Sequence, residues 1–230
     1  MPDVERNRPQ LEGGPSRSQG RRVAWLGIAL GLLAFAPHAV QAWQKSVSRW
    51  DRSLSEWIHA AENEDTVIDR VDVLSLALDP VTQALWFVVV VVVAIGAAAR
   101  GRRRFAAVVV LTIAGVALLG PVAKEVFARP PVDPAGTGYS FPSGHSLRTM
   151  AIAGVVALVA WPTRWRWWIV TAGAVVVLVT GVAVVYHEWH WVSDVLAGWS
   201  LALVLLGCVW LLVDRLPGSS SGRLAASGPR

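Results

Sequence analysis

The sequence predicts an all-α protein built as a bundle of six transmembrane helices. Hydrophobic residues make up 54% of the 230 residues and charged residues only 16%, whereas charged residues are nearer a quarter of a soluble domain. Six apolar runs are long enough to cross about 30 Å of hydrocarbon. They are Val23–Trp43, Pro80–Ala99, Phe105–Ala123, Ser143–Trp161, Trp168–Tyr186 and Val195–Val213.

The distribution of charge predicts how these spans are oriented, because short cytoplasmic loops collect Lys and Arg. With the N-terminus inside, 14 of the 21 Lys and Arg residues fall on the cytoplasmic side and 12 of the 16 acidic residues fall outside. Both termini are then cytoplasmic and the membrane is the plasma (inner) membrane. Basic loops beside anionic lipid account for the net charge of +5. No basic stripe or base-stacking motif indicates a nucleic-acid partner.

Three segments follow from this pattern. Residues 1–22 and 216–230 are rich in polar residues and glycine and are predicted to be disordered cytoplasmic tails. Residues 23–215 are predicted to form one transmembrane domain. Its first span could instead be a signal peptide ending at Val40-Gln41-Ala42, but the long preceding sequence and the five further spans favour an uncleaved helix. The single cysteine, Cys208, rules out an intramolecular disulfide.

Gln44–Asp79, between spans one and two, is predicted to form amphipathic helices on the extracytoplasmic surface. Its apolar residues, among them Trp50, Leu54, Trp57 and Ile58, recur at three- and four-residue steps between acidic residues. Two roles are open for this segment: a cap over a lipid-entry site, or packing against the bundle.

Chemically versatile residues gather where apolar runs meet polar loops. The fourth span opens with Pro142-Ser143-Gly144-His145, and a capping serine followed by glycine makes a helix N-terminus that attracts an anion. His145 follows at once, and an unperturbed imidazole titrates near neutrality, which suits a proton donor or acceptor. We therefore expect a phosphate-like group to bind there.

His190 and Asp194 are four residues apart, so on a helix they share one face. The carboxylate can then accept the Nδ1–H of the imidazole and leave Nε2 free to attack. A metal site formed by His187, His190 and Asp194 is an alternative, although these positions match neither HExxH nor a cysteine framework.

The ordered set of Lys124, Pro142-Ser143-Gly144-His145 and His190-x3-Asp194 resembles the type 2 phosphatidic acid phosphatase (PAP2) superfamily of membrane lipid-phosphate phosphatases, whose pattern is K-x6-RP, PSGH and SR-x5-H-x3-D. The resemblance implies that His190 is the nucleophile and forms a phosphohistidine, and that Asp194 fixes its tautomer. It implies that His145 protonates the leaving alkoxide. Lys124, Ser143 and Gly144 would bind the phosphate, with no cofactor or metal.

Two arginine positions depart from this pattern. Arg129-Pro130 follows Lys124 after four residues instead of six, and because Pro130 disfavours helix at the preceding residue, the helix should stop near Ala128 and let Arg129 reach the phosphate from a loop. The SR positions are occupied by Ala183 and Val184. For Arg148, one turn beyond His145, two roles are open: replacement of this phosphate-binding arginine, or a structural ion pair.

The predicted function is hydrolysis of a phosphomonoester or diphosphate from a lipid on the extracytoplasmic side of the membrane. The resemblance implies polyprenyl diphosphate, phosphatidate or phosphatidylglycerophosphate as substrate, and an outward site favours the first. Two alternatives remain open: a lipid phosphotransferase of the same fold, and a non-catalytic lipid-binding or scaffold protein with a degenerate site. Membrane lipids are the other expected partners.

Overall fold

The computed structural model describes residues 17–60, 103–134 and 136–216, together with positions 88, 90–92, 94–96, 98, 99 and 101. All regular secondary structure in these residues is helical. Six helices have defined bounds: α1 (Arg17–Trp43), α2 (Arg49–Ala60), α3 (Arg103–Phe127), α4 (Gly144–Ala160), α5 (Arg166–Tyr186) and α6 (Val192–Asp214).

Four of the described helices, α1, α3, α5 and α6, are long and apolar enough to cross a membrane. They correspond to the first, third, fifth and sixth predicted spans. α4, the fourth, is apolar but has 17 residues, which at 1.5 Å per residue is about 26 Å and shorter than the hydrocarbon core of about 30 Å. The predicted second span, Pro80–Ala99, lies largely outside the described residues.

The helices extend beyond the apolar runs that predict them. α1 begins at Arg17, so residues 17–22 are helical, which corrects the prediction of a disordered tail to residue 22. Arg21 at this end lies 4.0 Å from Asp214 of α6. α3 and α6 likewise begin at Arg103 and Val192, because a helix continues through polar flanking residues that end an apolar run. Residues 1–16, 61–79 and 217–230 lie outside the described residues.

α6 is the centre of the bundle and contacts each of the other five helices. Small buried residues allow this close packing, among them Ala197, Gly198, Ser200 and Ala202. α4 packs against α6, α5 and α3, while α1 lies along the opposite side of α6. The first turn of α6 carries Asp194, so the predicted site lies at the end of the most enclosed helix.

α2 packs on the ends of α5 and α6 through the polar residues Asp51 and Ser55 and through Ile58, which contacts the apolar cluster around Val184. Asp51 and Ser55 are buried, whereas Trp50, Leu54 and Trp57 are exposed by 46%, 39% and 73%. This reverses the usual inward direction of an apolar face. Of the two roles predicted for this segment, the structure thus shows packing against the bundle for α2.

Candidate active site

The loop after α3 begins with a sharp turn. α3 ends at Phe127, and Ala128 adopts a left-handed conformation with φ of +42°, the backbone geometry common just past a helix end. The prediction that the helix stops near Ala128 is confirmed. The turn directs the next side chain, Arg129, back into the protein instead of along α3.

Arg129 is buried, with 1% of its surface exposed. Its Nη1 donates to Asp194 Oδ1 at 2.7 Å and to Ser193 Oγ at 2.8 Å, and its Nη2 donates to the Ser46 carbonyl at 3.0 Å. Phosphate binding by Arg129 stays a prediction: in the structure its guanidinium is bonded to protein groups and lines neither cavity described below. The shortened spacing after Lys124 thus gives this arginine the aspartate as partner.

The loop before α4 is bonded directly to α6. The Ser143 amide donates to the Asp194 carbonyl at 3.0 Å, and the Ser143 hydroxyl accepts a hydrogen bond from the Ser146 amide at 3.4 Å. Ser143 is fully buried, and its hydroxyl caps α4. Gly144 and His145, the next two residues, line a cavity.

His190 and Asp194 face each other at the start of α6. Both are buried, and His190 Nδ1 lies 3.7 Å from Asp194 Oδ2. That distance is an ion-pair separation and not a hydrogen bond, although catalytic hydrogen bonds often tighten only when substrate binds. The Asp194 carboxylate also accepts from Arg129 and from the Trp191 amide at 3.0 Å, so its position is fixed by several bonds.

Two cavities meet at His190. One, of about 810 Å³, is mainly apolar and runs between α3 and α4; the other, of about 370 Å³, is more polar and is lined by the loops after α3 and α5. Lys124, Tyr139 and His190 line both cavities. Lys124 Nζ donates to the Tyr139 carbonyl at 2.7 Å. A group at this junction therefore contacts a cation and an imidazole, with apolar surface on one side and polar surface on the other.

Arg148 lines the apolar cavity together with His145. Val184, which occupies the arginine position of the SR pair, is buried in an apolar cluster with Ala183, Val185 and Val195. Its carbonyl accepts hydrogen bonds from the Trp189 and His190 amides at 3.0 and 3.1 Å. A longer charged side chain at residue 184 would therefore enter this cluster.

The structure also brings together residues that the sequence did not indicate. The Trp189 ring lies between two imidazoles, with centroids 5.6 Å from His145 and 5.9 Å from His187. Asp51 of α2 accepts hydrogen bonds from both the amide and the hydroxyl of Ser193. Among the described residues, no three His, Cys, Asp or Glu side chains are grouped as metal ligands, so the geometry gives no support to the alternative site at His187, His190 and Asp194.

Gly198 sets the distance between the two halves of the site. A Cβ atom there would lie 2.7 Å from the Ser143 carbonyl and 3.0 Å from the Leu147 amide nitrogen. We expect Gly198→Ala to lower stability by about 1–3 kcal/mol through overpacking. It should also slow any reaction that uses His145 and His190 together about a hundredfold, because a displacement of about 1 Å between reacting groups has that effect. Thermal unfolding in detergent and steady-state rates measure the two effects.

Gly173 on α5 supplies the matched control. A Cβ there would lie 3.4 Å from Ala153 Cβ, an ordinary contact. Gly173→Ala should leave both kcat and the melting temperature near parental values. Parental kcat and melting temperature in Gly198→Ala would contradict the close approach of α4 and α6 at this position.

Comparison with known proteins places this geometry in a family. Residues 105–217 match the PAP2 superfamily, and the chain therefore carries a PAP2 superfamily domain. An undecaprenyl-diphosphatase from Sulfolobus acidocaldarius is 35% identical over 94 residues, which cover 36% of this chain and 43% of that relative. The match thus spans under half the length of that curated relative.

The fold is also that of a solved membrane protein. The crystal structure of a transmembrane PAP2-type phosphatidylglycerolphosphate phosphatase from Bacillus subtilis superposes with a TM-score of 0.65. The alignment covers 83% of this chain and 98% of that one, at 22% identity. At that identity the likeness establishes the fold. The chain is accordingly a membrane protein with the helical architecture of the PAP2 phosphatases.

Proposed function

We propose that this protein is a lipid-phosphate phosphatase that transfers the phosphoryl group to His190 before hydrolysis. The observation that carries the proposal is the junction of the two cavities, where Lys124 and His190 line both. A lipid phosphate has the matching form, with an apolar chain on one side of a charged group. The PAP2 domain at residues 105–217 supports the same assignment.

The proposed reaction has two steps. His190 Nε2 attacks phosphorus, the bond from phosphorus to the lipid-side oxygen breaks, and His145 gives that oxygen a proton. Water then attacks the phosphohistidine, the N–P bond breaks, and His145 takes a proton from the water. Asp194 stabilises the cationic phosphorylated ring, while Lys124 and the amides of Gly144 and His145 stabilise charge on the phosphoryl oxygens.

The apolar cavity supports a substrate with a long hydrocarbon chain. Its lining on α3 extends from Lys124 to Val109, about four helical turns or roughly 22 Å, which is most of the hydrocarbon thickness of a bilayer. We propose polyprenyl diphosphate as the preferred substrate, with phosphatidate and phosphatidylglycerophosphate as the other candidates. The similarity to an undecaprenyl-diphosphatase supports this order.

The topology belongs to the same proposal. The bundle has six spans with both termini cytoplasmic, and the end that carries His190 and α2 faces outward. The charge distribution supports this orientation. Phosphate is then released on the extracytoplasmic side.

A phosphate-release assay on the purified protein in detergent tests the function. Undecaprenyl diphosphate, phosphatidate and phosphatidylglycerophosphate are compared with a soluble aryl phosphate, each with and without EDTA. We expect release from at least one lipid, preference over the soluble ester, and no loss in EDTA. No release from any lipid by folded protein would contradict the proposal. Loss in EDTA with recovery on added zinc would favour a metal-dependent mechanism.

Arg148 is proposed to supply the second cation for the phosphoryl group, because it lines the apolar cavity one turn beyond His145. We expect Arg148→Ala to lower kcat at least about a hundredfold, the effect of losing one preorganised donor. Arg148→Lys should recover only part of the rate, because it lacks the bidentate fork. Steady-state kinetics on the preferred lipid measure both.

Arg164, which stacks on Trp165 at the other end of the bundle, gives the control. Arg164→Ala should leave kcat unchanged. If Arg148→Ala keeps the parental rate and only melts at a lower temperature, this arginine stabilises the fold and does not bind the phosphoryl group.

A further inference from the structure

Asp51 is a buried carboxylate that the proposed mechanism does not use. It lies in the first turn of α2, the surface helix between the first two predicted spans, and has no exposed surface. A buried carboxylate is stable only when it is hydrogen-bonded and paired with a cation. Its partners therefore indicate what it stabilises.

All the polar contacts of the Asp51 carboxylate described here lead toward the site. Oδ1 accepts from the Ser193 amide at 3.0 Å, and Oδ2 accepts from the Ser193 hydroxyl at 2.5 Å. Oδ2 also lies 3.7 Å from Arg129 Nη2. Asp51 thus holds the first turn of α6 from one side.

Arg129 joins Asp51 to the proposed catalytic pair. The same guanidinium lies 3.7 Å from Asp51 and 2.7 Å from Asp194, so one cation is shared by two buried carboxylates. Ser193 repeats the link, since its hydroxyl donates to Asp51 and accepts from Arg129. Both links from Asp51, the direct one and the one through Ser193, therefore reach Asp194 by way of Arg129.

We propose that Asp51 is a positioning residue for the reaction at His190. It fixes Arg129 and Ser193, these fix the Asp194 carboxylate, and Asp194 orients the His190 imidazole. Asp51 does not line the substrate cavities, so it acts on the rate and not on substrate binding. The inference rests on the proposed function, because it names a role within that reaction.

The contacts of α2 favour this role over simple anchoring. Ser55, one turn beyond Asp51, lies 3.4 Å from the Val192 amide, so the polar face of α2 contacts the first two residues of α6. Residues that only attached a surface helix to the bundle could contact any part of α5 or α6. Asp51 and Ser55 instead contact the first turn of α6, which carries Asp194. α2 is thus part of the active site, although it lies outside the motifs.

The kinetic test is Asp51→Asn, which keeps the shape of the side chain and removes its charge. Glu56→Gln, on the exposed side of the same helix, is the matched control. We expect kcat of Asp51→Asn to fall about tenfold, the size of coupling between groups in one buried network, with KM within about twofold of the parent. Glu56→Gln should change neither.

A double variant tests the path through Arg129. If Asp51 acts through that arginine, Asp51→Asn combined with Arg129→Lys should be no slower than Arg129→Lys alone. The proposal would be overturned if the losses of kcat in the two single variants multiplied in the double variant. It would also be overturned by an Asp51→Asn variant whose kcat stays within twofold of the parent.

A spectroscopic measurement keeps this inference separate from the proposed function. In protein labelled with ¹⁵N-histidine, the His190 signals are assigned by their loss in His190→Ala, and their shifts report which ring nitrogen carries the proton. Asp51→Asn should change these shifts, while Glu56→Gln should not. If the parent hydrolyses no lipid phosphate, the proposed function fails. The His190 shifts alone then test whether Asp51 positions the imidazole. Unchanged His190 shifts in that case would overturn its positioning role.

Discussion

His190→Ala should lower phosphate release at least about a thousandfold, because it removes the proposed nucleophile of a covalent mechanism. His190 is buried at the junction of the two cavities and faces Asp194. No other imidazole described here is paired with a buried carboxylate in this way. Alanine leaves a small cavity, so the variant should stay folded. A base-quenched reaction of the parent should contain phosphohistidine, which is labile in acid, and the variant should contain none.

His187→Ala is the matched control for this prediction. His187 is three residues away and lines the polar cavity, so its loss should change kcat far less. Hydrolysis by His190→Ala above a few per cent of the parental rate would eliminate the phosphohistidine mechanism. Equal losses in both variants would support the metal site that the sequence leaves open.

Asp194→Asn separates orientation from covalent chemistry. An amide still packs beside His190, but it cannot stabilise the imidazolium or the phosphorylated ring, so the variant should be slow without being inactive. The expected fall in kcat for Asp194→Asn is therefore smaller than the near-total loss for His190→Ala. It is larger than the fall for Asp51→Asn, because Asp51 acts through other residues.

Hydropathy predicted most of the fold because a membrane span must be helical and long. The predicted ends are less accurate, since polar residues such as Arg17 and Arg103 continue a helix once its interior is formed. The orientation of α2 was beyond a periodicity argument. Its apolar and polar residues both recur at helical spacing. Asp51 points inward because the Ser193 amide in the first turn of α6 needs a hydrogen-bond acceptor.

The proposed catalytic residues are those that local sequence patterns can identify. His190 and Asp194 share a helix turn, and His145 follows a helix cap, so their proximity within each motif is set by chain geometry. That the two motifs meet depends on the bond from the Ser143 amide to the Asp194 carbonyl and on the absence of a side chain at Gly198. No spacing rule predicts such contacts.

Arginine roles were the least predictable part of the site. In the family pattern the arginine of the SR pair, which would bind the phosphate, falls at Val184. The Val184 side chain lies in an apolar cluster under α2. An arginine introduced at position 184 would be buried in this apolar cluster. The role proposed for Arg148 could therefore not be moved to position 184 by substitution alone. Arg129 was expected at the phosphate, yet its contacts come from chain segments that are distant in sequence.

Removing Arg129 should therefore damage both stability and catalysis. Arg129→Met keeps the length of the side chain but leaves Asp51 and Asp194 buried without their shared cation. Breaking a buried pair from one side costs about 3–5 kcal/mol, so we expect a clear fall in melting temperature in detergent. In the folded fraction, the Asp194 carboxylate loses its 2.7 Å bond, and kcat should fall at least about a hundredfold.

Arg129→Lys tests whether charge alone is enough. Lysine restores one positive charge but cannot reach Asp194, Ser193 and the Ser46 carbonyl together, as the guanidinium does. It should recover more stability than activity, since charge neutralisation is kept and the geometry of Asp194 is not. Arg52→Met, an exposed arginine on α2, should change the unfolding free energy by less than about 0.5 kcal/mol and leave kcat unchanged. An Arg129→Met enzyme with parental stability but a raised KM would show instead that this arginine binds the substrate phosphate, as the sequence motif predicts.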